Sequence, residues 1–234
     1  MEKRGQYKLL KAAFRSSMPV MAGYLVLGMG FGIIMKTRGY GAVWSIAMSV
    51  FIYAGSMQYV AIDLTTGGAS LITAALTTLM VNARHLFYGI SMIEKYRGAG
   101  KARPYLIFAL TDETYSLVCG EVPVEEDQRH RYCLLVSLFD QIYWVAGSAL
   151  GAALGAVLTV NTEGIDFALT ALFVTVFVEQ WMSAKDHVSA LIGLGASAGC
   201  LVVFGSANFL IPAMVCITLA LTALRRIRRG RNDG

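Results

Sequence analysis

A few short stretches carry side chains able to do chemistry in a chain that otherwise avoids them. T-D-E-T-Y (111–115) sets Asp112 beside Glu113, and V-N-A-R-H-L-F-Y-G (81–89) sets Arg84 beside His85. Y-A-G-S-M-Q-Y (53–59) places Gly55, Ser56 and Gln58 inside an apolar run, and polar pairs recur at Asp140-Gln141 and Glu179-Gln180. Adjacent carboxyls in different surroundings hold protons differently, because burial favours the neutral form and a nearby cation the ionised one. Asp112 and Glu113, with His85, are therefore candidates for binding and releasing a proton. Arg84 is the natural partner of one carboxylate, leaving the other free to titrate. A Gly-Ser pair in an apolar helix can unwind it and free backbone amides for a substrate carboxylate.

Each feature also has a plainer reading. Asp112 and Glu113 suit the first turn of an interfacial helix with Thr111 as its N-cap. His85 suits a hydrogen-bonded core position, and Gly55-Ser56 suits close helix packing. On a straight helix Thr78, Asn82, His85 and Gly89 share one face and Arg84 points elsewhere. Either that helix breaks near Asn82 or Arg84 reaches a different neighbour. Asp112, Tyr115 and Ser116 share a face of their own. Asp140, near the start of its segment, and Glu179, near Trp181, read as interfacial.

The elements that must position these residues follow from composition. The chain has 234 residues, 56% hydrophobic and 15% charged, with mean hydropathy +0.58. Soluble domains carry about 25% charged residues, so the missing charge points to an integral membrane protein. The net charge of +5 gathers at the ends: Lys3, Arg4, Lys8, Lys11 and Arg15 at one, Arg225, Arg226, Arg228, Arg229 and Arg231 at the other. Beside apolar runs such tails mark cytoplasmic flanks rather than a nucleic-acid surface. Cys119, Cys133, Cys200 and Cys216 have no CxxC spacing and read as small hydrophobes, neither a disulfide framework nor a metal site; no cofactor is expected. No small-residue cleavage site follows the first apolar run, so it reads as an uncleaved helix.

A membrane crossing needs about 20 residues. Candidates are 18–35, 42–61, 69–93, 131–158, 165–182, 188–204 and 208–224, with a short eighth at 105–119 that holds the acid pair. The expected fold is an all-α polytopic membrane protein of roughly six to eight transmembrane helices. Eight plain helices leave the basic loop 94–104 outside. Six crossings, with 69–93 and 105–119 broken or re-entrant, put that loop and both tails in the cytoplasm. Residues 1–17 form a basic N-terminal segment, 18–224 the membrane domain and 225–234 a basic tail. Glycine-rich runs at 22–32 and 146–155, each followed by Gly41 or Gly164 and then by Gln58-Tyr59 or Gln180-Trp181, suggest repeats at 18–119 and 131–224. Gly147, Gly151 and Gly155 form a small-residue ridge suited to packing within the subunit.

These residues together resemble the large subunit of the AzlC-type branched-chain amino acid exporters. The likeness spans nearly the whole chain and rests on P-V-M-A-G-Y (19–24), G-S-M-Q-Y-V-A (55–61), N-A-R-H-L-F-Y-G (82–89), T-D-E-T-Y (111–115) and D-F-A-L-T-A-L-F (166–173). The sequence departs from the family pattern at Val178-Glu179-Gln180-Trp181, where a Pro-containing apolar end is expected. The resemblance implies an inner-membrane permease, not an enzyme, working with a small hydrophobic AzlD-type subunit. It implies export of leucine, isoleucine, valine and in some members methionine, driven by the proton gradient. Such a substrate needs an anion site, a cation site and an apolar pocket. The substrate-binding candidates are Gly55, Ser56, Gln58, Asn82, Arg84 and Tyr88, with Tyr53, Met57 and Phe87 lining the pocket. The proton-coupling candidates are Asp112, Glu113 and His85.

Three other classes compete. A channel or scaffold subunit would use the polar cluster only for packing. An intramembrane hydrolase would need Ser56 within hydrogen-bond reach of His85 or His187. A self-contained ATP-driven permease would need a P-loop, and none is present.

Overall fold

The computed structural model describes residues 2–157, 174, 177, 178, 181, 182 and 186–232, and all regular structure among them is helical. The segment expected at 165–182, with Gly164, 166–173 and Glu179-Gln180, lies largely or wholly outside the described residues. The chain divides into two compact units, Met1–Leu169 and Thr170–Gly234.

In the first unit α1 (Glu2–Thr37) crosses α7 (Arg129–Val157), and both are long and apolar enough to span a bilayer. The basic N-terminal segment continues α1 as helix rather than forming a separate arm. Past its end at Thr37, Gly39 with a φ of 90° turns the chain, and the Tyr40 amide bonds back to the Met35 carbonyl at 2.9 Å. Glycines let the two backbones meet. A β-carbon on Gly28 would lie 2.9 Å from the Trp144 carbonyl oxygen, and one on Gly147 2.8 Å from that of Leu25. Gly32 and Gly151 are tighter still, against Ser148 and Met29. The small-residue ridge thus packs α7 onto α1 within the chain.

Residues 42–61, expected as one helix, form two: α2 (Ala42–Phe51) and α3 (Gly55–Thr66). Tyr53 turns the chain with φ 42° and is buried. In a continuous helix the Val50 carbonyl would accept from the Ala54 amide. Here it accepts instead from Gln141 Nε2 at 3.0 Å, a side chain on α7. A break at membrane depth persists only where protein groups take up the freed backbone, and Gln141 does so.

Residues 69–93, by contrast, contain an unbroken helix, α4 (Leu71–Met92), capped by Ser70 accepting from the Thr73 amide. The short eighth segment is split into α5 (Arg103–Phe108) and α6 (Asp112–Val118). The broken-helix expectation thus holds for 105–119, fails for 69–93, and applies also to 42–61. Tyr105 on α5 donates to Gln141 Oε1 at 2.7 Å, so one glutamine on α7 braces both interruptions.

Unit two contains α8 (Val188–Asn208), which is kinked at Gly205 with φ 72° and whose Val188–Gly205 stretch is long and apolar enough to span a bilayer, and α9 (Leu210–Asn232), packed on it.

Gln58 is fully buried and satisfied at both ends of its amide. Trp144 Nε1 donates to its Oε1 at 2.8 Å, and its Nε2 donates to Ser49 Oγ at 3.2 Å, which in turn donates to Ser148. Gln58→Leu would strand the Trp144 donor in an apolar interior, at a cost of about 1–3 kcal/mol. A lower thermal midpoint of the purified protein is the expected result.

Candidate functional site

The site is assembled from two helix starts and one helix middle. At the start of α3 the amides of Gly55, Ser56 and Met57 have no intrahelical partner; the Gln58 amide makes the first bond, to the Ala54 carbonyl at 2.8 Å. At the start of α6 the Thr111 side chain accepts from the Thr114 amide at 3.2 Å, so Thr111 is the N-cap its position suggests. Asp112 and Glu113 follow in the first turn, where the helix dipole favours negative charge.

Arg84, midway along α4, joins the two starts. Its Nη2 donates to Ser56 Oγ at 2.6 Å and to Asp112 Oδ2 at 2.8 Å. The helix stays straight and Arg84 reaches a different neighbour, the second of the two expected arrangements. Arg84 and Asp112 are 31% and 17% exposed at their side chains, so the pair is shielded but reachable. The Tyr88 hydroxyl lies beside Asp112, and its ring stacks on Tyr115 at 4.5 Å. Ser91 donates to the Tyr115 hydroxyl at 3.0 Å, tying α4 to α6 below the ion pair.

Glu113 takes a different direction from Asp112. Its Oε2 accepts from the Tyr24 hydroxyl on α1 at 2.7 Å, and Tyr24 also contacts Thr111 Oγ1 at 2.7 Å. Adjacent residues thus have unlike surroundings, one facing a guanidinium and the other a buried phenol.

The remaining candidates sit around this core or apart from it. His85 is half-buried, its Nδ1 3.2 Å from the Asn82 carbonyl and its ring edge-on to Tyr88. Asn82 is half-buried, and its Oδ1 is enclosed without a hydrogen bond among the described residues. Thr78 bonds to the Ala74 carbonyl. Tyr53 and Met57 are buried, whereas Phe87 is 59% exposed. Gln58 belongs to the Trp144 network. Ser56 is bonded to Arg84 and His85 to backbone, so the two do not form a nucleophile–base pair.

Asp140, read from the sequence as interfacial, does not face solvent. It is fully buried in α7, with Oδ2 accepting from Thr114 at 2.7 Å and Oδ1 enclosed without a partner among the described residues. Its place near the start of an apolar run suggests an interface when hydropathy alone is considered. That run is preceded by a helical turn at Glu126–Gln128 and packed by α1 and α6, which hydropathy does not register. Tyr24 is a residue of this cluster that the sequence does not single out, because a tyrosine in an apolar segment carries little signal until its partner is known; Gln141 stands out only as half of a polar pair. A cleft of about 600 Å³ bounded by Glu94, Arg97, Glu121 and Arg129 lies at the loop ends of α4, α6 and α7 and includes none of these residues.

Residues 19–158 match the family model described as AzlC protein. The chain is 47% identical to the branched-chain amino acid transport protein AzlC of Bacillus subtilis over 97% of its own length and 89% of the relative's. It is 44% identical to an uncharacterized membrane protein of Haemophilus influenzae, over 91% and 87% of the two chains. It is 26% identical to the inner membrane protein YgaZ of Escherichia coli, over 90% and 87%. No solved structure matches it. The motifs at 19–24, 55–61, 82–89 and 111–115 all lie inside the matched region, and this all-helical membrane protein belongs to the AzlC family.

Proposed function

We propose that this chain is the large subunit of a secondary transporter that exports branched-chain amino acids across the inner membrane in exchange for protons, with both basic tails cytoplasmic. Leucine, isoleucine and valine are the substrates, with methionine a further one. The observation that carries this reading is the Arg84 bridge between the start of α3 and Asp112. A zwitterionic amino acid presents one carboxylate and one ammonium, the complement of that ion pair. Its carboxylate meets Arg84 and the amides of Gly55, Ser56 and Met57 at the positive end of α3. Its ammonium meets Asp112. Replacing one internal ion pair by two pairs with substrate strands no charge in a low-dielectric site, where breaking a pair outright costs about 3–5 kcal/mol. Tyr53 and Met57, buried beside Ser56, offer apolar surface to the branched side chain. The name of the Bacillus relative supports the substrate class, and the family resemblance supports a small hydrophobic AzlD-type partner.

The test is uptake of labelled leucine into everted vesicles, with and without an imposed proton gradient and with the small subunit co-expressed. Gradient-dependent uptake that is lost in Asp112→Asn is the expected outcome. Undiminished uptake in that variant would reduce the acid to a first-turn residue of α6 with no part in transport. Failure to take up any branched-chain amino acid, with the partner assembled, would remove the export reading.

A further inference from the structure

Beyond the Arg84–Asp112 pair lies a second set of acids joined by hydroxyl groups. Glu113 Oε2 contacts the Tyr24 hydroxyl at 2.7 Å, Tyr24 contacts Thr111 Oγ1 at 2.7 Å, Thr111 contacts Thr114 Oγ1 at 3.1 Å, and Thr114 contacts Asp140 Oδ2 at 2.7 Å. The chain runs from α6 through α1 and back to α6, and ends in the middle of α7. Each separation is a hydrogen-bond distance, and each such contact needs a proton between its oxygens. A hydroxyl brings only one proton. The three hydroxyls therefore fill three of the four contacts, and the fourth needs a proton from a carboxyl. With both acids ionised, two oxygens in this line would face each other at hydrogen-bond distance with lone pairs only. The Tyr53 hydroxyl, enclosed without a hydrogen bond among the described residues, fills none of these four contacts and leaves the shortage at one.

We propose that Asp140 and Glu113 hold one proton between them and form the coupling unit of the transporter, with Asp140 a proton-carrying residue in its own right. The coupling role rests on the transport reading; the shared proton does not. Transfer needs no outside reagent. Glu113 gives its proton to Tyr24, Tyr24 gives its own to Thr111, Thr111 to Thr114, and Thr114 to Asp140. Four O–H bonds break and four form, the hydroxyls end neutral, and Asp140 ends protonated with Glu113 ionised. Asp140 accepts from the Thr114 hydroxyl and has no ion-pair partner among the described residues. Glu113 faces Tyr24 and is near Asp112 and Arg84. The charge of the substrate site thus lies next to the Glu113 end of the line, Asp112 being its neighbour in sequence. Substrate arriving at Arg84 and Asp112 changes the field at Glu113 and biases the proton's position along the line.

The experiment is infrared spectroscopy of the purified protein with its small subunit in lipid bilayers at neutral pH. Wild-type-minus-variant difference spectra are read for the C=O stretch of a protonated carboxyl that shifts in heavy water. One such band is expected, and it is lost in both Asp140→Asn and Glu113→Gln, because either amide supplies the missing donor and lets the other carboxyl ionise. A band that survives both substitutions, or no band in the wild type, would overturn the shared proton. On the same preparations Tyr24→Phe and Thr114→Val are expected to lower gradient-driven leucine uptake by about 10²-fold, the scale of a lost positioned proton donor, while leucine counterflow persists. Thr114→Ser restores the uptake. Uptake unchanged in both hydroxyl variants would overturn the coupling role. Absence of wild-type counterflow would overturn the transport reading, while the infrared result decides the shared proton independently.

Discussion

Replacing Arg84 by glutamine is expected to reduce leucine uptake to background while the protein still assembles. The guanidinium makes two contacts through one nitrogen, to Ser56 and to Asp112, and the proposed substrate carboxylate would use the same donors. Truncating one partner of a shielded, hydrogen-bonded charge pair costs about 2–5 kcal/mol, which is about 30-fold to several thousandfold in affinity. Asp112 left alone is 17% exposed at its side chain, so water reaches it and offsets part of the penalty of a stranded charge. The double variant Arg84→Gln, Asp112→Asn removes both charges and should unfold at nearly the wild-type temperature, yet remain inactive. Arg84→Lys keeps the charge on a shorter side chain with a more strongly hydrated head, reaches Ser56 and Asp112 less well, and should transport weakly. The readouts are everted-vesicle uptake and thermal midpoint on the same preparations. Wild-type flux in Arg84→Gln would make the ion pair a structural tie only.

The largest effect on stability is expected at Gly151. A β-carbon there collides with the Met29 backbone of α1, which cannot move aside as a flexible side chain can. Gly151→Ala must push α1 and α7 apart or distort one of them, costing about 1–3 kcal/mol or more. The neighbouring glycines provide a graded series. Gly147→Ala meets the Leu25 carbonyl oxygen at 2.8 Å and should be comparably severe, whereas Gly155→Ala meets Ile33 Cα at 3.3 Å and Lys36 Cβ at 3.2 Å and should be milder. Gly23→Ala, on α1 with nothing within 4 Å, should be neutral or gain up to about 1 kcal/mol of helix propensity. Reversible unfolding in mixed micelles would rank the four. Equal stability of Gly151→Ala and Gly23→Ala would mean that the α1–α7 crossing is looser than described. The Tyr24–Glu113 contact depends on this crossing, so a spread crossing should also lower coupled transport.

The chemistry of the candidate site is legible in the sequence because it depends on residue type and solvent. An arginine, a histidine and paired carboxylates in a chain with so little charge stand out, since each costs about 2.5–3.5 kcal/mol at the centre of a bilayer unless something offsets it. Thr111 as a cap is legible as well, because capping is local in sequence. The break before Gly55 is only half legible. The Gly-Ser pair marks the right place, but the turn itself falls on Tyr53, and it is held by Gln141, 91 residues away from Val50.

Composition and the apolar runs by themselves determined that this protein is a helical membrane protein, its motifs carried the likeness to the AzlC family, and the polar interruptions marked the candidate side chains. They could do so because hydropathy and local propensity are properties of short windows of chain. Only the tertiary structure decided who meets whom: Ser56 with Arg84 and Asp112, Glu113 with Tyr24, and Asp140 with Thr114 rather than with water. Those pairings bring together residues 26 to 89 positions apart, set by the glycine-mediated crossing of α1 on α7 and by two helix breaks braced from α7. No window of sequence contains both partners of such a contact. Asp112 and Glu113, neighbours in sequence, could therefore acquire different partners only when the helices packed.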